Sequence, residues 1–115
     1  MSFTIYHNSQ WGKSRKSLEL LREYNIEPTI IEYLKKPLSL KELQSISKKL
    51  ALAPKDFLRK NDSRYEELGL SEFNGTDNEI FKIIIANPRI LERPIIISDN
   101  KAVIGRPPEN ILELF

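Results

Sequence analysis

The first 33 residues alternate between strand and helix patterns, and this alternation constrains the fold more than any other feature of the chain. Residues 3–6 are a short run of aromatic and β-branched side chains, typical of a buried strand. After a polar loop, Leu18, Leu21 and Tyr24 recur at helical spacing, and a second strand pattern follows at 29–33. Two strands joined by a helix form a βαβ unit, in which the strands are parallel and the crossover is right-handed. The pattern therefore predicts the start of an α/β sheet.

The middle of the chain is predicted to be helical because its helix starts are well marked. Ser39 and Glu42 form a capping box, in which each side chain satisfies a free backbone N–H at the start of a helix. Thr76 and Glu79 form a second one. Shorter helices between the two are predicted from start and stop residues, namely Pro54, Ser63 and Gly69.

The last part of the chain returns to strand patterns. Residues 95–98 and 102–104 flank the turn residues Asp99 and Asn100, which predicts an antiparallel hairpin, and an apolar terminal helix follows. The order βαβ, helical block, ββα is the connectivity of a thioredoxin-like α/β fold with a four-stranded mixed sheet. Since no linker or repeat interrupts the chain, we interpret residues 1–115 as one domain with a helical insertion at about 37–91.

Composition excludes several classes of function. The chain contains no cysteine and one histidine, which rules out disulfides, thiolate metal sites and thiol nucleophiles and makes other metal sites difficult to build. The 18 Lys and Arg are interspersed with 16 Asp and Glu, so direct nucleic-acid binding is not expected. With neither a leader pattern nor a long apolar run, we expect a cytoplasmic protein without a membrane segment, and we predict no bound cofactor.

The first loop is a candidate anion site because it ends at a helix N-terminus. Unpaired backbone N–H groups and the positive end of the helix dipole favour an anion there. The small residues Ser9, Gly12 and Ser14 would let an oxyanion approach the backbone closely. Many βα loops share these properties, so the loop alone is a weak signal.

Motifs along almost the whole chain point more specifically to one family. The first is the run 5–15, with the sequence IYHNSQWGKSR. The others follow in order: Glu27-Pro28, Tyr33-Leu34, Leu58-Arg59-Lys60-Asn61, Tyr65-Glu66-Glu67-Leu68-Gly69-Leu70, Asn87-Pro88, Arg93-Pro94-Ile95 and Gly105-Arg106-Pro107. Together they resemble the glutaredoxin-coupled arsenate reductase family, whose active-site loop reads roughly Tyr-His-Asn-Pro-x-Cys-x-x-Ser-Arg.

The resemblance implies a thioredoxin-like fold and an oxyanion site at the first helix. In that family a low-pKa cysteine attacks arsenate, glutathione attacks the adduct, and glutaredoxin resolves it. His7 corresponds to the loop histidine of the family, and Ser14 to the serine that supports the thiolate. The Arg93-Pro94 bond is expected to be cis, as in the family. The three family arginines that hold the oxyanion correspond to Arg59, Arg93 and Arg106.

The chain departs from the family at the catalytic position, where Trp11 replaces the nucleophilic cysteine. An indole has one N–H donor and no usable nucleophile at neutral pH. Ser9 also replaces the usual loop proline. Trp11 is far larger than cysteine and is interpreted either as a hydrophobic plug over the helix start or as an aromatic ligand contact. We therefore expect weak or absent reductase activity, with glutathione as co-substrate only if the family reaction operates.

Two functional hypotheses remain open. The first is an arsenate reductase family protein that binds arsenate or another small oxyanion, with glutaredoxin as the partner implied by the resemblance. The second is a non-catalytic interaction module similar to the Spx-type regulators, which bind RNA polymerase through the same fold. Those regulators usually carry a CxxC motif that is absent here. Each candidate residue also has a structural interpretation: the arginines as surface ion-pair partners, His7 as a hydrogen-bonded loop residue, and Ser14 as a helix cap.

Overall fold

Four short strands form one sheet in the order β2-β1-β3-β4. In a computed structural model, which describes residues 2–115, they span Phe3–Tyr6 (β1), Thr29–Ile31 (β2), Ile95–Ser98 (β3) and Lys101–Ile104 (β4). The β1 strand pairs in parallel with β2 and antiparallel with β3, which in turn pairs antiparallel with β4. This confirms the predicted thioredoxin-like α/β fold with a mixed sheet.

Helix α1, Gly12–Glu23, is the crossover between β1 and β2. Its apolar face buries Leu18 and Leu21 against side chains from the strands and the C-terminal segment. The other buried members of this core are Phe3, Ile5, Ile96, Val103, Ile111 and Leu114. Because β1 and β3 are the two central strands, the loop that leaves β1 toward α1 starts from a rigid, buried part of the sheet.

The predicted helical block contains three α-helices, Leu40–Leu50 (α2), Ser63–Glu67 (α3) and Asp77–Ala86 (α4). Both capping boxes are present. The two reciprocal backbone-to-side-chain hydrogen bonds are 3.0 and 3.1 Å long between Ser39 and Glu42, and 3.0 and 3.2 Å long between Thr76 and Glu79. Three 3₁₀ turns complete the block, at Pro54–Phe57, Leu70–Glu72 and Pro88–Ile90.

The chain divides into two compact units, one made of Met1–Lys36 and Arg93–Phe115, the other of Pro37–Glu92. The first contains the whole sheet and α1, and the second contains α2, α3 and α4. The interpretation of residues 1–115 as a single domain stays a prediction.

Two elements differ from their predicted form. The β2 strand ends at Ile31 rather than at residue 33, because its partner β1 ends at Tyr6, which lies opposite Ile31. The terminal helix, Pro108–Leu114, is a 3₁₀ helix. A helix with three residues per turn places Ile111 and Leu114 on one buried face and leaves Leu112 exposed.

Candidate functional site

The loop between β1 and α1 is held in place by its own polar groups. The backbone N–H of His7 donates to Ile31 O at 2.9 Å and so continues the pairing beyond β1. Ser14 Oγ lies 2.7 Å from His7 Nδ1 and accepts a hydrogen bond from the Asn8 N–H at 3.1 Å. The side chain of Asn8 accepts a further bond from the Gln10 N–H at 3.1 Å. The loop therefore has one well-defined path from the sheet to the helix.

Burial keeps the His7 ring neutral. The pKa of His7 is lowered from its ordinary value of 6.5, chiefly by desolvation and further by the positive charges of Arg15 and Arg22, while Glu32 opposes the shift. Since Ser14 Oγ already accepts from Asn8, its own hydrogen is available to donate to His7 Nδ1. When that hydrogen is donated to Nδ1, the neutral ring carries its own proton on Nε2.

Trp11 is the N-cap residue of α1 and its indole covers Arg93. Its backbone N–H donates to Asn8 O and its carbonyl accepts from the Arg15 N–H, both at 3.0 Å, whereas its side chain makes no capping bond. The guanidinium carbon of Arg93 lies 3.5 Å from the centroid of the indole ring, which is a close cation–π contact. Even so, Trp11 is 39% exposed.

Arg93 is a buried cation with few partners. It is 4% exposed, and its Nη1 lies 3.5 Å from the hydroxyl of the fully buried Tyr33. Its Nε is shielded from solvent and has no hydrogen-bond acceptor, and among residues 2–115 no carboxylate forms an ion pair with it. Buried charges are usually paired, so this guanidinium is an unusual feature of the fold. The Arg93-Pro94 bond is cis, as expected.

The structure brings together four of the six predicted site residues, as the pairs His7–Ser14 and Trp11–Arg93. The fifth, Arg106, belongs to the same unit and is exposed, and its bond to Pro107 is also cis, which the sequence did not lead us to expect. None of the hydrogen bonds and ion pairs found in the described part of the chain joins its side chain to the other four.

Arg59, the sixth residue, belongs to the helical unit and is ion-paired there. Its Nη1 donates to Asp62 Oδ2 at 2.8 Å and to Arg89 O at 3.2 Å. Arg89 reaches the same carboxylate oxygen at 3.5 Å. The charge of Arg59 is thus offset by the buried Asp62.

Sequence reasoning missed two partners of the predicted arginines. Asp62 follows Arg59 by three residues, and a turn in which the Asp62 N–H donates to Arg59 O brings their opposite charges together, so this partner is local in the chain. Tyr33 contacts Arg93 across 60 residues of chain, and no local pattern indicates such a contact.

A small cavity of about 120 Å³ adjoins the loop. Residues 7–10 line it together with Glu32, Leu34 and Lys35. The two charged side chains that line the cavity form an ion pair, in which Lys35 Nζ lies 3.1 Å from Glu32 Oε2. Hydrogen bonds from Lys35 and the Ser9 hydroxyl lower the pKa of Glu32.

No cluster of three or more histidine, cysteine or carboxylate side chains that could hold a metal ion occurs between residues 2 and 115. In the same part of the chain, no helix has the length and apolar character needed to cross a membrane.

Known proteins resemble this chain over almost its whole length. Residues 6–114 match the model of the ArsC family. The chain is 44% identical to an arsenate reductase of Haemophilus influenzae, with 99% of each chain covered. It is 38% identical to an arsenate reductase of Escherichia coli, with 98% of this chain and 80% of that one covered. The solved structure of an arsenate reductase from Vibrio cholerae superposes with a TM-score of 0.95 at 36% identity, covering 100% of this chain and 98% of that one. The chain therefore belongs to the ArsC family, as its motifs indicated.

Proposed function

We propose that this chain binds a small tetrahedral oxyanion, such as arsenate or phosphate, at the start of α1 and does not reduce it by thiol chemistry of its own. One observation carries the proposal: at the position where the resemblance places the nucleophile, an indole lies against a buried, unpaired guanidinium. The arginine that would hold the anion is kept, and the sulfur that would react with it is absent.

The loss of reductase activity follows from electron counting. Reduction of arsenate to arsenite needs two electrons, which the family obtains through a sulfur–arsenic bond that a second thiol then breaks as a disulfide forms. The chain has no cysteine with which to form that bond. The hydroxyl of Ser14 is fully buried, and an oxygen ester of arsenate could not end in a disulfide.

Anion binding is supported by the charges around the loop. The first turn of α1 contains no acidic residue, and Lys13 and Arg15 add positive charge to its dipole. An arginine binds oxyanions best through two parallel N–H bonds along one edge, and the Nε of Arg93 has no acceptor of its own. Arsenate is the first ligand to test because several relatives are named as arsenate reductases.

Calorimetric titration with arsenate and with phosphate tests the binding site. We expect saturable binding to the unmodified chain and, for Arg93→Ala, an affinity roughly 10- to 100-fold weaker, since hydrogen bonds to charged groups are lost. Arg93→Lys keeps the charge without the planar edge, so it should also bind more weakly even if the alanine variant folds poorly. Arg64→Ala is the matched control, because Arg64 is exposed and its ion-pair partner, Glu67, is exposed as well.

Equal binding by the unmodified chain and both Arg93 variants would remove this arginine from the proposal. Glutaredoxin and glutathione are the reductants to supply when a cysteine is placed at position 11. A chain that binds no oxyanion and gains no turnover from Trp11→Cys would instead fit the Spx-like interaction module.

A further inference from the structure

The cavity of about 120 Å³ lies where the two parallel strands of the sheet end. One wall is the loop that follows β1, residues 7–10, and the other is formed by residues 32–35, which follow β2. Ligands of open α/β sheets usually bind outside the carboxyl ends of the strands, which is where this cavity opens. A somewhat larger cavity of about 150 Å³ admits benzene, so this one has room for a molecule of the size of glycine or alanine.

The loop wall contains a buried ring with one nitrogen unused. His7 is 5% exposed, and its Nδ1 is engaged by Ser14 Oγ. None of the hydrogen bonds found among residues 2–115 uses Nε2, and Arg93 Nε is the one buried side-chain polar atom there that is sealed from solvent without a partner. Nε2 therefore still reaches open space, and the open space that His7 lines is the cavity. When Ser14 donates to Nδ1, Nε2 carries a hydrogen and is a donor toward that space.

The opposite wall contributes two charges of opposite sign. Glu32 Oε2 and Lys35 Nζ are 3.1 Å apart, and their side chains are 32% and 76% exposed. An ion pair as exposed as this contributes little stability, so a ligand that offers both charges can replace each partner at small cost. A simple anion would meet the carboxylate of Glu32, and a simple cation would meet the ammonium of Lys35. The wall therefore favours a ligand that carries an ammonium and a carboxylate close together.

We infer that this cavity binds a free α-amino acid by its zwitterionic head group. The carboxylate of the ligand accepts hydrogen bonds from the Lys35 ammonium and the His7 Nε2–H, and its ammonium donates to Glu32. Such charge-assisted bonds are stronger than neutral ones. Leu34, an exposed apolar residue of the same wall, favours a ligand with an apolar side chain. The inference goes beyond the oxyanion site, because neither Trp11 nor Arg93 lines this cavity.

His7 is the only histidine, so its imidazole resonances report on the cavity without overlap from another ring. In NMR titrations at pH 7.5, glycine and leucine should each shift these resonances in a saturable manner. We expect a dissociation constant that is roughly millimolar, because so small a ligand makes few contacts. Acetate and methylammonium, which each carry half of the head group, should bind far more weakly, and potassium chloride at matched ionic strength should have no effect.

Substitution of either charged residue should weaken the binding of glycine. Lys35→Gln and Glu32→Gln each remove one charge-assisted bond, so each should raise the dissociation constant by roughly 10-fold. Both side chains are on the surface, so neither change disturbs the core. Lys36→Gln is the matched control, since Lys36 is exposed, adjoins Lys35 in the chain and does not line the cavity.

The possible results are distinct. The absence of any saturable shift with glycine and leucine would overturn the amino-acid site, and so would equal affinities of the unmodified chain, Lys35→Gln and Glu32→Gln. Acetate binding as tightly as glycine would also overturn it, because the cavity would then recognise a carboxylate alone. None of these results bears on the oxyanion site, which is tested separately by the Arg93 variants.

Discussion

The residue at position 11 decides which chemistry is available beside Arg93. A cysteine at the start of α1 would be a nucleophile beside a cation, whereas the indole interacts with the same cation only through its ring face. Such a contact contributes about 0.5–2 kcal/mol, less than two charge-assisted hydrogen bonds to an anion. The indole at position 11 thus cannot make the covalent attack that a cysteine would make.

Ser14 is expected to stabilise the loop strongly through the two hydrogen bonds of its hydroxyl. Ser14→Ala removes the acceptor of the Asn8 N–H and the partner of His7 Nδ1, all of them in buried surroundings. An unsatisfied buried group costs about 1–3 kcal/mol, so urea denaturation should show a loss of roughly 2 kcal/mol in the free energy of unfolding. Ser45→Ala, on the exposed side of α2, is the control and should change it little. An unchanged midpoint for Ser14→Ala would contradict this role.

His7 should make the stability depend on pH in a defined direction. Its pKa in the folded chain lies below the 6.5 of an unfolded histidine, so the unfolded chain takes up a proton first as the pH falls. The contribution is complete above pH 6.5 and is lost as the pH decreases from there toward the folded pKa. Urea denaturation between about pH 7.5 and 5.5 should therefore show falling stability.

His7→Asn supplies the control for this pH dependence, because His7 is the only histidine and asparagine does not titrate. The variant should be less stable at pH 7.5 but nearly independent of pH in this range. The same slope in both proteins would show that other groups cause it.

At the level of elements, β4 approaches α1 so closely that only glycine fits at its end. A Cβ added to Gly105 would lie 2.5 Å from Ser17 Oγ, 2.9 Å from Pro94 Cγ and 3.0 Å from Ile96 Cδ1. The Gly105 N–H also donates a hydrogen bond to Pro94 O at 2.8 Å, and the Gly105 carbonyl accepts one from the Ser17 hydroxyl at 3.4 Å. The glycine of the Gly105-Arg106-Pro107 motif thus has a packing role beside any role of its arginine.

Gly105→Ala should therefore destabilise the chain. Overpacking of a tight contact costs about 1–3 kcal/mol, which thermal unfolding would register as a lower midpoint. The matched control is Gly12→Ala, whose Cβ would meet only Arg15 Nη2 at an ordinary 3.7 Å. A thermal midpoint of Gly105→Ala as high as that of Gly12→Ala would show that the contact can relax freely.

Elements with local signals were predicted well, and those that depend on partners were not. The capping boxes at Ser39 and Thr76 specify their own helix starts, so the sequence alone locates α2 and α4. The end of β2 depends instead on where β1 stops at Tyr6. The 3₁₀ form of the C-terminal segment depends on Ile111 and Leu114 both entering the core.

At the level of the whole molecule, the sheet unit is assembled from both ends of the chain. Met1–Lys36 and Arg93–Phe115 form one unit, although the Pro37–Glu92 unit separates them in sequence. The motifs indicated candidate site residues, including Trp11 and Arg93. They did not predict that these two side chains touch, because that contact joins segments from opposite ends of the chain. The ion pair between Arg59 and Asp62 is local, because a turn in which the Asp62 N–H donates to Arg59 O brings the two side chains together.

We attribute the expected lack of arsenate reduction to the missing sulfur at position 11. The most direct test is arsenate reduction followed as NADPH consumption with glutathione, glutaredoxin and glutathione reductase, comparing the unmodified chain, Trp11→Cys and Trp11→Ser. The serine variant matches the size of cysteine without its thiol. We predict no turnover above background for the unmodified chain and Trp11→Ser, and measurable turnover for Trp11→Cys. Robust reduction by the unmodified chain would show that reduction by this protein needs no cysteine.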